Sequence, residues 1–165
     1  MTTVYVGMDP GLTGAIVTLE DGELQFFDTP TFKAGNRSRI AADGCARLLE
    51  RIDLARGNNP LVVAIEKAGS FSPAGRKQGS VSMFGYGVGY GIWIGILEAL
   101  KIPYTEVPPQ TWKRLLMAGE RKEKDASRAV ARRLWPDQTE EALSRRKDHG
   151  RADAALIAEY ARRVL

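Results

Sequence analysis

The sequence predicts an α/β domain built on a mixed five-stranded sheet flanked by helices. Three observations carry this. Three short apolar runs near the N-terminus are joined by tight turns, which makes an antiparallel meander. The continuous apolar run Leu61-Val62-Val63-Ala64-Ile65 suits a strand buried on both faces, at the centre of a sheet with helices on each side. Beyond the meander, strand-like and helix-like stretches alternate in the order β-β-β-α-β-α-β, followed by helices. The 165 residues are expected to form one domain, 1–165, without repeat or dividing linker.

In the first strand Val4, Val6 and Met8 alternate with Tyr5, Gly7 and Asp9, so the strand carries Asp9 at its end, beside the turn Pro10-Gly11. Gly14 lets the chain re-enter a strand with its backbone close to a ligand. Asp21-Gly22 turns the chain into a third strand, Glu23 to Asp28. Thr29 to Asn36 reads as a polar loop. From Ser38, the residues Ile40, Cys45, Leu48, Leu49 and Ile52 fall at helical spacing, and Gly57-Asn58-Asn59-Pro60 ends that helix. The buried strand then closes on Glu66. A polar loop, Ser70 to Ser80, follows with Phe71, Arg76 and Lys77.

Residues 78–97 carry no charge and are long enough to span a membrane. Gln78, Ser80, Ser82 and six glycines lower their hydrophobicity, and no second span or basic flank supports insertion, so a buried helix is expected. Gly87, Gly91 and Gly95 would form one smooth face on it. Glycine costs about 1 kcal/mol against alanine inside a helix, and close approach of another backbone, within the fold or across a dimer, would be a reason for it. Ile102 to Val107 is the fifth strand. Pro108-Pro109 turns the chain, and Thr111 is placed to cap a short helix beginning at Trp112-Lys113. Lys122 to Leu134 is a basic helix with Lys124, Arg128 and Arg132 on one face. The last helix runs from about Gly150 to Leu165, with Asp148 positioned as its cap.

Cys45 is the only cysteine and His149 the only histidine, which excludes a disulfide framework, a cysteine-based zinc site and any two-histidine metal site within one chain. Met1-Thr2-Thr3 leads into a strand with no basic n-region, so no signal peptide is expected, and the single cysteine fits a reducing, cytoplasmic setting. The net charge is +4. Residues 111–165 hold 14 Lys/Arg against 9 Asp/Glu, or +5, while the remainder hold 10 against 11, or −1. The excess positive charge therefore lies in the last third and points to nucleic acid.

Asp9 and Glu66 end two strands that lie side by side if those strands are parallel neighbours, at the edge where open α/β sheets keep their sites. Asp148 and Asp153 flank the start of the last helix. Asp153 sits in Ala152-Asp153-Ala154-Ala155-Leu156-Ile157, a run too apolar for a freely exposed face. Four oxygen donors from separate elements suit Mg²⁺ or Mn²⁺, and two such ions can clamp the attacking and leaving oxygens of phosphodiester hydrolysis. The basic last third, Arg128 included, would neutralise phosphates.

Val6-Gly7-Met8-Asp9-Pro10-Gly11 resembles the first catalytic strand of RuvC-type Holliday junction resolvases, and Ala64-Ile65-Glu66 resembles their second. Lys147-Asp148-His149-Gly150-Arg151-Ala152-Asp153-Ala154-Ala155-Leu156 is similar to the closing motif of phage and chloroplast members. The resemblance covers most of the chain in order and length. It implies a ribonuclease H-like fold, a homodimer, two Mg²⁺ ions per active site with Mn²⁺ as a substitute, and paired symmetric nicks across a four-way DNA junction. By that resemblance Asp9, Glu66, Asp148 and Asp153 are the metal-binding acids. Bacterial members space their last two acidic positions three apart, whereas Asp148 and Asp153 are five apart, so His149 is a rival to Asp148. Lys113 and Lys124 stand where basic residues near the cleaved phosphate are expected, Lys124 among the catalytic set. Phe71 is placed to stack on a base at the junction centre, with Arg76 and Lys77 contacting phosphates.

Two other classes compete. Asp9-Pro10-Gly11-Leu12-Thr13-Gly14 overlaps the first phosphate loop of sugar-kinase and actin-like ATP binders, but those need two related domains, which 165 residues do not supply. A non-catalytic branched-DNA binder, or a broader branched-DNA nuclease, would share the basic surface. Neither a membrane nor a nucleotide cofactor is expected as a partner.

Overall fold

The computed structural model describes residues 2–69, 80–120 and 125–165, and only the backbone of residues 80–82. The chain forms β1 (Val4–Met8), β2 (Ala15–Glu20), β3 (Glu23–Asp28), β4 (Thr31–Ala34), β5 (Arg37–Ile40), α1 (Ala42–Ala55), β6 (Leu61–Glu66), α2 (Ser80–Ala99) and β7 (Tyr104–Val107). It continues through α3 (Pro109–Leu116), α4 (Ala126–Leu134), α5 (Pro136–Thr139), a 3-10 turn (Arg146–Asp148) and α6 (His149–Val164). Five strands make one sheet in the order β3-β2-β1-β6-β7. The β1–β2 and β2–β3 pairs are antiparallel, and β1–β6 and β6–β7 are parallel. This is the mixed sheet the sequence predicts.

The period of two along each strand divides the core into two layers. Val4, Val6, Met8, Ile16, Val63 and Ile65 pack on one face against α1 and α2 through Leu49, Ile52, Trp93 and Leu97. On the other face Ala64 and Val107 meet Trp112 of α3, Val130 of α4 and Leu156 and Ile157 of α6, while Ala15 and Val17 meet Ala154 and Ala155. Asp9 and Glu66 share parity with Gly7 and Ala64, so both carboxylates belong to the α6 side.

Asp21 (φ 51°) and Gly22 (φ 88°) form the two-residue turn between β2 and β3. Residues 29–36 are not simply a loop. β4 and β5 pair as a separate hairpin, Ala34 opposite Arg37, because Gly35 takes φ 61° at the first position of a two-residue turn. The helix expected from Ser38 accordingly begins only at Ala42. α3 starts at Pro109 in its first turn, with no side-chain cap from Thr111, since proline's fixed φ suits that position.

The glycines of α2 behave otherwise than their spacing suggests. A Cβ at Gly87, Gly91 or Gly95 would meet nothing within 4 Å, whereas one at Gly89 would lie 3.1 Å from the Pro10 carbonyl and 2.8 Å from Ile40. The close approach within the fold is therefore made by Gly89, in line with buried Trp93 and Leu97, and the face bearing the glycine stripe stays open. Among the described residues, no helix is long and apolar enough to cross a membrane.

β1 and α6 pack backbone against backbone. A Cβ at Gly7 would lie 2.0 Å from the Ala154 carbonyl oxygen and 2.3 Å from the Ala158 nitrogen. Both are backbone atoms, so relief would require moving the helix. Gly7→Ala is expected to lower unfolding stability by about 3 kcal/mol or more in urea titrations. Gly91→Ala, in open space, is expected to raise it by about 0.5–1 kcal/mol. Equal effects at the two positions would contradict this packing.

Candidate active site

β1 and β6 run parallel with Met8 opposite Ile65, so the next residues, Asp9 and Glu66, emerge side by side at the carboxyl ends of adjacent central strands. The Asp9 loop is stiff. The Gly11 N–H donates to Asp9 Oδ1 at 3.1 Å, and the Asp9 N–H donates to Ala15 O at 2.9 Å. Gly14 is needed because a Cβ there would lie 2.1 Å from the Asp9 carbonyl oxygen, so its close approach is to the loop itself. Gly150 in the first turn of α6 sits on the same loop, where a Cβ would lie 2.3 Å from Thr13 O and 3.2 Å from Asp9 Oδ2. Three residues further along that helix, Asp153 joins the two strand-end acids.

The three acids act on one another electrostatically. Burial pushes the Asp9 carboxyl up to about 7, with repulsion from Asp153 and Glu66 adding to it against the Gly11 N–H and Lys113. Burial and Asp153 push Glu66 up, opposed by Lys113, the Trp112 indole and the Tyr86 hydroxyl. Burial raises Asp153 as well, opposed by Ser127, Lys113 and His149. Lys113 of α3 thus lowers all three carboxyls by its charge, its ammonium 4.9 Å from the centre of the Trp112 ring. Trp112 is fully buried, and its indole N–H donates to Glu66 Oε2 at 2.9 Å. The Tyr86 phenol, from α2, is raised by burial and then by Glu66, Asp9 and Asp153, which places it beside the same cluster.

Asp148 is not part of this cluster. It is buried beside α6, where Oδ2 accepts from the Arg145 N–H at 2.8 Å and Oδ1 from the Arg145 guanidinium at 2.7 Å. Burial alone would raise its carboxyl, but these bonds outweigh that and hold it below the usual range. Its side chain makes no cap to α6. The physical reason is local: Arg145 lies three residues before it and captures both oxygens. His149 instead acts on Asp153.

Arg128, expected on an open basic face, is buried. Its Nη2 donates to Leu143 O at 2.9 Å and its Nη1 to Asp125 Oδ1 at 3.1 Å, so its donors tie α4 to the segment before α6 rather than meeting phosphate. Phe71, Arg76, Lys77 and Lys124 lie outside the described residues. Sequence reasoning missed Trp112, Tyr86 and Ser127 as neighbours of the acids. Only a single polar atom on an otherwise apolar residue hinted at Trp112, and nothing in the uncharged run distinguished Tyr86.

Among the described residues, no three acidic or histidine side chains close into a ready-made ligand shell. The donor chemistry nonetheless fits a hard divalent cation. Two buried atoms, Asp153 Oδ1 and His149 Nδ1, have no hydrogen-bond partner among the described residues, and three carboxylates with raised affinities for a proton stand together. A cation would satisfy the former and neutralise the latter.

A mixed sheet in this order, with acids at the carboxyl ends of its two central strands and on the final helix, is a ribonuclease H-like fold, and the chain resembles RuvC-type resolvases in that fold. The structure of Thermus thermophilus RuvC in complex with a Holliday junction substrate superposes with a TM-score of 0.55 at 20% identity, covering 98% of this chain and 96% of that one. A second Thermus thermophilus RuvC structure gives 0.51 at 18% identity, covering 94% and 90%. In sequence, 71 residues are 44% identical to the chloroplastic Holliday junction resolvase MOC1 of Chlamydomonas reinhardtii. That stretch is 43% of this chain but only 8% of the relative's length. No protein-family model matches the chain.

The raised Asp9 carboxyl has a thermodynamic consequence. A folded-state value of about 7 against 3.8 means that the native state holds this proton more tightly than the unfolded chain, so stability from this group is lost as pH rises from about 4 to 7. Asp9→Asn is expected to leave stability nearly unchanged near pH 4 and to raise it at pH 8 in EDTA by on the order of 1–3 kcal/mol. Mg²⁺ should narrow that gap by binding the native wild-type protein. A less stable Asp9→Asn protein at pH 8 in EDTA would contradict the burial of this charge.

Proposed function

We propose that this chain is a structure-selective DNA endonuclease that resolves four-way junctions by paired symmetric nicks, through divalent-metal-dependent phosphodiester hydrolysis. The observation that carries the reading is the meeting of Asp9, Glu66 and Asp153 at the carboxyl edge of β1 and β6, with Lys113 beside them. The fold shared with RuvC and the segment similar to a chloroplast resolvase support it.

Asp9, Glu66 and Asp153, with His149 rather than Asp148, would hold two Mg²⁺ ions, or Mn²⁺ in their place, which would supply activation of water and charge neutralisation at the leaving oxygen. Lys113 neutralises a phosphate brought to the acids and stabilises negative charge developing on it. Tyr86, its hydroxyl kept protonated, offers a donor at the same edge. Asp148 with Arg145 fixes the approach to α6 and so the place of His149. Lys124 is assigned a second cationic contact to the cleaved strand, Phe71 a stacking contact at the junction centre, and Arg76 and Lys77 contacts to phosphates.

Paired nicks need two sites. The open face of α2, where Phe84 is 75% exposed and Val88 46% beside uncrowded Gly87 and Gly91, supports a homodimer. The setting that suits this reading is the cytosol of a bacterium or of a phage-infected host.

The test is cleavage of a labelled synthetic four-way junction beside a linear duplex, a fork and a flap. Symmetric nicks on the junction with Mg²⁺, abolished by EDTA, are expected. Asp9→Asn and Asp153→Asn should lower the rate by roughly 10²-fold or more while junction binding survives, and His149→Ala by roughly 10–100-fold. Asp148→Asn should lower stability and leave the folded protein cutting. Phe84→Asp should convert paired nicks into single ones. Equal cutting of fork and flap would widen the substrate class, and tight binding without cutting in Mg²⁺ or Mn²⁺ would favour a non-catalytic junction binder.

A further inference from the structure

We propose that Trp112 is a positioning residue for Glu66, fixing through its indole N–H how the carboxylate is turned toward the cation and the DNA. This rests on the metal-dependent reading above.

The geometry is specific. Trp112 is fully buried among Ala64, Val107, Val130, Ala152 and Leu156, so its ring has no freedom to follow a mobile partner. Its one polar atom points out of that core at Glu66, donating to Oε2 at 2.9 Å. A buried indole N–H is not satisfied as a matter of course in this molecule: the equally buried Trp93 has no partner for its Nε1 among the described residues. The bond at Trp112 is thus a directed contact. Glu66 pairs with Val107 at the end of β7, and α3 begins two residues later on Pro109, so a short, proline-stiffened connection sets the distance between indole and carboxylate.

With Oε2 held by a neutral donor, Oε1 is the oxygen left without an indole bond. The Tyr86 hydroxyl also acts on this carboxylate, and the rigid indole bond fixes how it is turned before any cation arrives. The same ring carries the Lys113 ammonium over its face at 4.9 Å, so one buried side chain sets both an anionic and a cationic member of the site.

The test uses the full-length protein with ¹⁵N-labelled tryptophan. Its three tryptophans give three indole N–H resonances, and Trp112→Phe assigns one. Glu66→Gln is expected to shift the Trp112 indole proton upfield and leave Trp93 and Trp135 in place, and Mg²⁺ is expected to move the same resonance in the wild type. Mg²⁺ titrations followed on backbone amides should show binding to Trp112→Phe weakened about tenfold. In junction assays the variant should need about tenfold more Mg²⁺ for half-maximal cleavage, with a smaller loss of rate at saturation. Combined with Glu66→Gln, it should add no further loss.

An indole resonance indifferent to Glu66→Gln, or a folded Trp112→Phe protein with an unchanged Mg²⁺ requirement, overturns the proposal. If Trp112→Phe does not fold, the wild-type indole response to Mg²⁺ and to Glu66→Gln decides. If the wild type binds Mg²⁺ but cuts no junction, the proposed function fails while the indole and binding measurements still decide the role of Trp112.

Discussion

The backbone of α6 lies directly on the backbone of β1, and the arrangement of the acids follows from that contact. Glycine at position 7 and alanine at 154 and 158 remove the side chains that would otherwise hold strand and helix apart. Gly150 repeats the device one turn earlier, against the Asp9 loop. The helix is thereby lowered onto the sheet edge at the place where two parallel strands end in carboxylates. Asp153 is consequently delivered to Asp9 and Glu66 by packing rather than by attraction, since three like charges repel.

Burial comes first among the causes of the acids' raised affinity for protons, and repulsion adds to it at Asp9 and Glu66. The surrounding core forces the acids together and raises their affinity for protons, while Lys113 and the Trp112 indole offset part of the penalty. A buried cluster of this kind is stabilised by anything that brings positive charge, whether protons at low pH or divalent cations near neutrality. Asp148 shows the contrast. It carries the same chemical group one residue before α6, yet both its oxygens accept hydrogen bonds from Arg145, which hold its carboxyl below the usual range.

Asp9 and Glu66 were legible in the sequence because a period of two and a parallel pairing suffice to place strand-end residues. Asp153 was legible because its neighbours are too apolar for an exposed helix face. The capture of Asp148 by Arg145 was not, since adjacency in sequence does not say which side chain a neighbouring arginine holds. Helical spacing put Arg128 in line with Lys124, but only the tertiary fold reveals that the Leu143 carbonyl takes its donors. Spacing marks Gly87, Gly91 and Gly95 as one face of α2, but the glycine that meets the Asp9 loop is Gly89, off that stripe. Trp112 and Glu66 are 46 residues apart, and no local pattern announces their bond. The β4–β5 hairpin escaped because its strands are short and polar, with the turn chemistry of Gly35 as the only signal.

The most direct measurement is the anomalous difference map of crystals soaked in Mn²⁺. The expected result is two manganese peaks about 4 Å apart, bound by Asp9, Glu66 and Asp153 with His149 as a further ligand and Asp148 still on Arg145. Manganese bound elsewhere, or no manganese at this edge at saturating concentration, would contradict a metal centre assembled by the packing of α6 on β1.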